Sequence, residues 1–106
     1  MRINFAAAHK RLWLWLANNP HYSKRSWPEW RHNGGRIPNV RAHCFACEAA
    51  FRTGTCPLKK SCKIDATTWR CLKEWHQLST STLGEIPALA RKIANKPWKG
   101  RQFFDI

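Results

Sequence analysis

Four of the five cysteines in this chain of 106 residues lie in one segment, HCFACEAAFRTGTCPLKKSC, at residues 43–62. Cys44 and Cys47 form a C-x2-C pair, a spacing from which two thiolates can bind one metal ion across a tight turn. Cys56 and Cys62 supply two more thiols, although the five residues between them depart from a second C-x2-C. The segment therefore predicts a metal site with four thiolate ligands, Cys44, Cys47, Cys56 and Cys62.

Structural Zn²⁺ is the predicted occupant, since tetrahedral zinc accepts four thiolates and stabilises small folds. Cys71 is an alternative fourth ligand and otherwise a small buried apolar residue. His43 and His76 are further alternatives, although a histidine beside a cysteine cluster is more often a hydrogen-bonding or surface residue. An iron–sulfur cluster and reduced cysteines without metal remain open. A thioredoxin-like redox pair is disfavoured, because no βαβ pattern surrounds the C-x2-C.

The net charge indicates a polyanionic partner. The chain has 19 Lys and Arg against 6 Asp and Glu, a formal charge of +13 and a pI near 10.4. This balance is typical of nucleic-acid-binding domains, and the alternative is a basic surface with no partner. The cations predicted to contact DNA or RNA lie around the cysteines, in the preceding loop and on the last helix: Lys24, Arg25, Arg41, Arg52, Lys59, Lys60, Lys63, Arg91, Lys92 and Lys96. Two tryptophans, Trp27 and Trp30, are the predicted stacking platforms for unpaired bases. No recognition-helix motif is legible, so contacts to the phosphate backbone are expected.

Apolar periodicity predicts the elements that position these residues. Helices are expected over residues 5–17, 65–78 and 87–95, where apolar side chains recur at steps of three and four. Residues 20–43 predict one helical turn carrying the two tryptophans, followed by a loop. Gly54 and Pro57 predict turns within the cysteine segment, 44–63. The predicted fold is mainly α, a small single domain (1–106) of about three helices around a zinc-stapled loop region.

The sequence lacks the patterns of an enzyme or a membrane protein. Its six carboxylates form no spaced pair with histidine, and H-E-x-x-H, G-x-S-x-G and phosphate-binding glycine loops are missing. A metal ion with four thiolate ligands also has no open position for water. No signal peptide or apolar run of about 20 residues is present, so we expect a cytoplasmic protein that acts on no membrane and no small-molecule substrate.

Several short motifs resemble a known family. They are LWLWLANNP at 12–20, SWPEW at 26–30, CFACEAA at 44–50, CPL at 56–58 and ALARKIANKPW at 88–98. They resemble a family of small uncharacterised proteins encoded by bacteriophages and prophages, which share a C-F-A-C-E … C-P-L motif. The resemblance implies a phage protein in the host cytoplasm with a cysteine metal site. The family usually has an aromatic residue after C-F-A-C-E and an acidic residue with Trp after C-P-L, where this chain has Ala49 and Lys59-Lys60.

Two functions of different classes follow. The first is a zinc-binding basic protein that binds nucleic acid through phosphate contacts. The alternative is a counter-defence or host-takeover inhibitor, similar in action to anti-CRISPR proteins, that binds a host protein or nucleoprotein complex. Aromatic anchors suit either interface.

Overall fold

The first helix begins where the sequence predicts it. In the computed structural model, which describes residues 1–58 and 84–106, helix α1 spans Phe5–Asn18. The side-chain oxygen of Asn4 accepts a hydrogen bond from the N–H of Ala7 at 3.1 Å, which satisfies one of the unpaired donors of the first turn. The helix ends as the N–H of Asn19 donates to the carbonyl of Leu16 at 3.2 Å.

Two further α-helices lie in the described part of the chain. Helix α3, Ile86–Ala94, confirms the prediction over 87–95 and carries Pro87 in its first turn, where a missing N–H costs little. Helix α2, Phe45–Thr53, was not predicted, since the cysteine segment was interpreted as turns. The helix predicted over 65–78 lies outside the described residues.

The chain termini form a small antiparallel sheet. Strand β1, Arg2–Asn4, pairs with β2, Phe103–Asp105, and Ile3 lies opposite Phe104. These two central residues are buried, whereas Phe103 and Asp105 point outward on the other face of β2. The sheet therefore anchors the C-terminal tail against the body of the protein.

The core lies where α1 packs against α3 and α2. The ring of Phe5 stacks on Phe104 with 4.4 Å between centroids and meets the edge of Phe45 at 5.2 Å. The described residues thus form a small, mainly helical fold with a two-stranded sheet, and none of their helices combines the length and apolar character that crossing a membrane requires.

Residues 20–43 connect α1 to α2 through three short 3₁₀ turns, Lys24–Ser26, Arg31–Asn33 and Arg41–His43. The single helical turn predicted to carry Trp27 and Trp30 is wrong. Both tryptophans lie between the first two turns. Their side chains point inward and pack in the core, whereas the polar residues around them stay at the surface.

Gly35 allows this connection to fold tightly. A β-carbon at Gly35 would lie 2.3 Å from the backbone carbonyl carbon and oxygen of Glu29. We expect Gly35→Ala to lower the free energy of unfolding by about 1–3 kcal/mol, because the backbone must move to relieve the overlap. Gly34→Asn is the control, since Gly34 has a φ of +95 and open space around its Cα, and asparagine tolerates this conformation. Equal denaturant midpoints for the Gly35→Ala variant and the parent protein would contradict the prediction.

His9 is buried, although the two residues that follow it on α1, Lys10 and Arg11, are exposed. It is 2% exposed, and its Nε2 donates to the carbonyl of Ile93 on α3 at 3.1 Å. Its Nδ1 has no hydrogen-bond partner within the described ranges. Burial lowers the pKa of His9 from 6.5 to about 4. The hydrogen bond to the Ile93 carbonyl raises this pKa and the charge of Lys24 lowers it, and both effects are smaller than that of burial. His9 is therefore a neutral link between α1 and α3.

This burial predicts a pH-dependent stability. Between pH 6.5 and about 4 the unfolded chain binds a proton at His9 that the folded chain does not bind. The contribution of neutral His9 to the free energy of unfolding is fully present above pH 6.5. It is lost as the pH falls toward the pKa of the folded state, and the loss amounts to up to about 3 kcal/mol. Urea unfolding from pH 7 to pH 4 measures this loss. The free energy of unfolding should depend less on pH in this range in His9→Gln, which keeps a hydrogen-bond donor for the Ile93 carbonyl. An equal pH dependence in the variant and the parent protein would show that His9 is not the titrating group.

Candidate nucleic-acid interface

The C-x2-C pair opens helix α2. Cys44 is its N-cap residue, and its Sγ accepts a hydrogen bond from the N–H of Cys47 at 3.4 Å. Cys44 is buried and Cys47 is half-buried. Ala42 and His43, directly before the pair, have φ values of 55 and 52, a strained conformation for residues other than glycine. The chain thus turns sharply into α2, and the turn brings the two cysteines to one end of the helix.

Cys56 follows the opposite end of helix α2 from this pair. The helix has nine residues and is about 13 Å long. Gly54 ends that helix at a φ of 76, and Cys56 lines a separate cavity with Thr53, Lys99 and other residues. Across residues 1–58 and 84–106, no three His, Cys, Asp or Glu side chains form a group that could hold a metal ion.

Within the described residues, Cys44 and Cys47 open helix α2, which was not expected from the sequence, and Cys56 follows the last turn of this helix. Of the other predicted ligands, Cys62, Cys71 and His76 lie outside the described residues. The zinc site itself stays a prediction.

His43 lies in a cluster of basic groups rather than beside a carboxylate. Its ring contacts Trp30 at 5.6 Å and His32 at 6.1 Å between centroids. Partial burial lowers the pKa of His43, and the charges of Lys24, His32 and Arg25 lower it further. The cluster therefore creates a positive potential at this point of the connecting segment.

Trp27 and Trp30 are not stacking platforms for bases, contrary to the sequence prediction. They are 2% and 0% exposed. Trp30 stacks on Phe45 with 5.3 Å between centroids and an interplanar angle of 20°, and its Nε1 donates to the carbonyl of Lys24 at 2.8 Å. Both indoles belong to the core because α2 supplies an aromatic partner for them.

The predicted phosphate contacts are distributed over the surface. Arg25, Arg41, Arg52, Arg91 and Lys92 are exposed, and Lys24 and Lys96 are half-buried. Lys59, Lys60 and Lys63 lie outside the described residues. Arg91 and Lys92 lie in the C-terminal half of α3, whereas Arg41 and Arg52 lie beside α2.

Exposed phenylalanines beside arginines form a surface that the sequence analysis missed. The guanidinium of Arg41 lies over the ring of Phe51, 3.7 Å from its centroid. The guanidinium of Arg2 lies 5.0 Å from the centroid of Phe103. Phe51 and Phe103 are 57% and 45% exposed. Each pair thus presents an aromatic plane and a cation together.

Arg52 links the helix that carries Phe51 to the strand that carries Phe103. It follows Phe51 on α2, and its guanidinium donates to the carbonyl of Asp105 on β2. Arg101 adds a fourth cation at the edge of β2. Its Nε donates to the carbonyl of Phe103 at 2.8 Å, and its guanidinium lies over the ring of Phe104, 4.7 Å from the centroid. We call this surface the arginine–phenylalanine face and define it by Arg2, Arg41, Phe51, Arg52, Arg101 and Phe103.

Two carboxylates lie beside this face. Glu48 is 3.8 Å from Arg52 on the same helix, and Asp105 lies opposite Arg2 in the sheet. They leave a net positive surface with two accessible rings, which can bind an anion and stack on a planar group. The sequence signal for it was weak, since an isolated Phe at the end of a helix or in a terminal strand has no distinctive pattern.

Comparison with known proteins adds no assignment: no family model, no curated protein and no solved structure matches the chain.

Proposed function

We propose that the protein binds nucleic acid through the arginine–phenylalanine face, with arginines on the phosphates and unpaired bases on Phe51 and Phe103. The observation that carries the proposal is the pairing of each exposed ring with a guanidinium, at 3.7 and 5.0 Å. Sites for single-stranded nucleic acid combine a positive surface with aromatic side chains on which successive bases stack. A guanidinium stacked on a ring covers one face of that ring and offers its own plane for a base to stack on.

The distribution of charge supports a polyanion as the partner. The chain carries +13, and its 6 carboxylates can neutralise only part of its 19 cations. Glu29 binds Arg11 at 3.1 Å and Glu48 lies near Arg52, so two carboxylates already have cationic neighbours. Arg2, Arg41 and Arg101 of the face remain as three cations for phosphates. Phosphate contacts of this kind fix orientation without reading sequence.

A fluorescence anisotropy titration at 50 and 200 mM NaCl tests the proposal with single-stranded DNA, single-stranded RNA and duplex DNA. We expect the single strands to bind more tightly than the duplex. The affinity for them should fall at least about 20-fold over this salt range, if three phosphates release counterions. No binding to any of the three would overturn the proposal. Capture of one defined host complex from an extract would then support the inhibitor alternative.

A structural zinc ion is a second part of the proposal. Cys44 and Cys47 fit two of its four ligand positions, because they lie at one helix end and the N–H of Cys47 already points at a sulfur atom. The ion would stabilise the start of α2 and so hold Phe51 and Arg52 in place. Cys62 and Cys71 are the proposed sources of the remaining thiolates.

This arrangement predicts different effects for the cysteines. We expect Cys44→Ser and Cys47→Ser to lose bound zinc and to melt at a lower temperature, because the binding free energy contributes to folding. Cys56→Ser is the matched control and should keep the metal, since it lies beyond the far end of α2. Metal analysis of the purified proteins measures the outcome. Zinc lost from Cys56→Ser, or a folded parent protein without metal, would contradict the assignment.

A further inference from the structure

A cavity of about 420 Å³ lies between the end of α1, the connecting segment and α3. Its volume falls at the lower end of the range of about 300–1,000 Å³ for small-ligand sites. Trp13 and Leu16 of α1 and Ile86 and Ala90 of α3 give it apolar walls. Such walls suit a flat, weakly polar group.

The rest of the lining contains polar and positive residues. They are Tyr22, Ser23, Lys24, Arg25 and His43. The hydroxyls of Tyr22 and Ser23 are hydrogen-bond donors, and Lys24 and Arg25 are cations. Tyr22, Ser23 and Arg25 are exposed, so this part of the lining reaches the surface. The cavity therefore offers apolar surface for an aromatic ring and cations for an anion.

We propose that this cavity binds one nucleoside 5′-phosphate, with the base between the apolar walls and the phosphate on Lys24 and Arg25. The inference rests on the proposed function for the identity of its ligand. The size of the cavity fits one nucleotide and not a continuous strand, so the ligand is either a free mononucleotide or the 5′-phosphorylated end of a bound strand.

The geometry of the connecting segment supports a fixed site. The carbonyl of Arg25 accepts hydrogen bonds from the side chains of His32 and Asn33, both at 2.9 Å, and the carbonyl of Lys24 accepts one from Trp30 at 2.8 Å. These bonds hold the backbone of the two cations before a ligand arrives. A preorganised anion site of this kind loses less entropy on binding.

Titration with AMP and CMP, followed by the fluorescence of Trp13 and the NMR signals of the Trp13 indole and Arg25, tests the inference. We expect saturable binding of both nucleotides, and weaker binding of adenosine and of inorganic phosphate alone. Arg25→Gln should weaken AMP binding by about tenfold, because a charge-assisted hydrogen bond is lost. The exposed Arg36→Gln is the matched control and should leave AMP binding unchanged.

Oligonucleotides with and without a 5′-phosphate separate the two ligand sources. A strand that binds more tightly when phosphorylated, with the difference abolished by Arg25→Gln, identifies the strand end. If AMP binds but the 5′-phosphate does not change the affinity for a strand, the ligand of the cavity is the free mononucleotide. If oligonucleotides bind but neither AMP nor the 5′-phosphate has an effect, the cavity inference is wrong and the proposed function stands. If AMP binds but no oligonucleotide does, the cavity is a nucleotide site and the proposed function is wrong.

Discussion

Replacing Trp30 by alanine is expected to lower the free energy of unfolding by about 3–5 kcal/mol, a large part of the stability of a small domain. Trp30 is fully buried and contacts three aromatic rings, Trp27 at 5.2 Å, Phe45 at 5.3 Å and His43 at 5.6 Å. The substitution leaves a cavity between α2 and the connecting segment. It also leaves the carbonyl of Lys24 without its indole donor.

Trp30→Phe is a smaller perturbation. It keeps an aromatic ring against Phe45 but removes the indole N–H and part of the packed volume, so we expect a loss of about 1–3 kcal/mol. Chemical denaturation with circular dichroism measures both variants. A Trp30→Ala protein as stable as the parent would show that this indole is not part of the core, and Trp30 would again be a candidate for base stacking.

Replacing Phe51 and Phe103 together by alanine is expected to reduce the affinity for single-stranded nucleic acid by at least about 30-fold. Stacking of a base on an aromatic side chain contributes about 1–3 kcal/mol, and the double variant loses two such contacts. Both rings are exposed at the surface, so their removal should cost little folding stability. Anisotropy titration with one labelled oligonucleotide measures the effect.

The matched control keeps both rings. Phe51→Tyr with Phe103→Tyr retains the aromatic planes beneath Arg41 and Arg2 and should bind within a few-fold of the parent. If the alanine double variant binds as tightly as the tyrosine double variant, bases do not stack on this face. The binding would then have to be assigned to other cations.

Local signals predicted some elements of the fold correctly. The cap at Asn4 and the apolar steps after Phe5 define α1, and Pro87 with the stripe ending at Ile93 defines α3. These signals lie within a few residues of one another, so the sequence alone contains them.

Helix α2 was missed because the cysteines suggested a metal-bound loop. Its own signals were present: Cys44 acts as the cap, Glu48 lies in the first turn, and Gly54 follows the last turn. The missed helix also explains the error at the tryptophans. Trp30 is buried because Phe45 on α2 packs against it.

The candidate site depends on contacts between residues far apart in the sequence. Arg41 and Phe51 meet across the start of α2, and Arg52 reaches Asp105 at the C-terminus. No periodicity or spacing in the chain encodes these contacts. Net charge alone predicted a polyanionic partner, but it gave no location for the interface.

The salt dependence of strand binding tests the central claim most directly. The logarithm of the association constant should fall linearly with the logarithm of the salt concentration, and each lost phosphate contact should make the slope shallower by about 0.7. For the combined variant Arg2→Gln, Arg41→Gln and Arg101→Gln we predict a slope shallower by about 2. Replacing the exposed Lys10 by glutamine is the control and should leave the slope unchanged. A combined variant whose slope equals that of the parent protein would contradict the assignment of these arginines to phosphates.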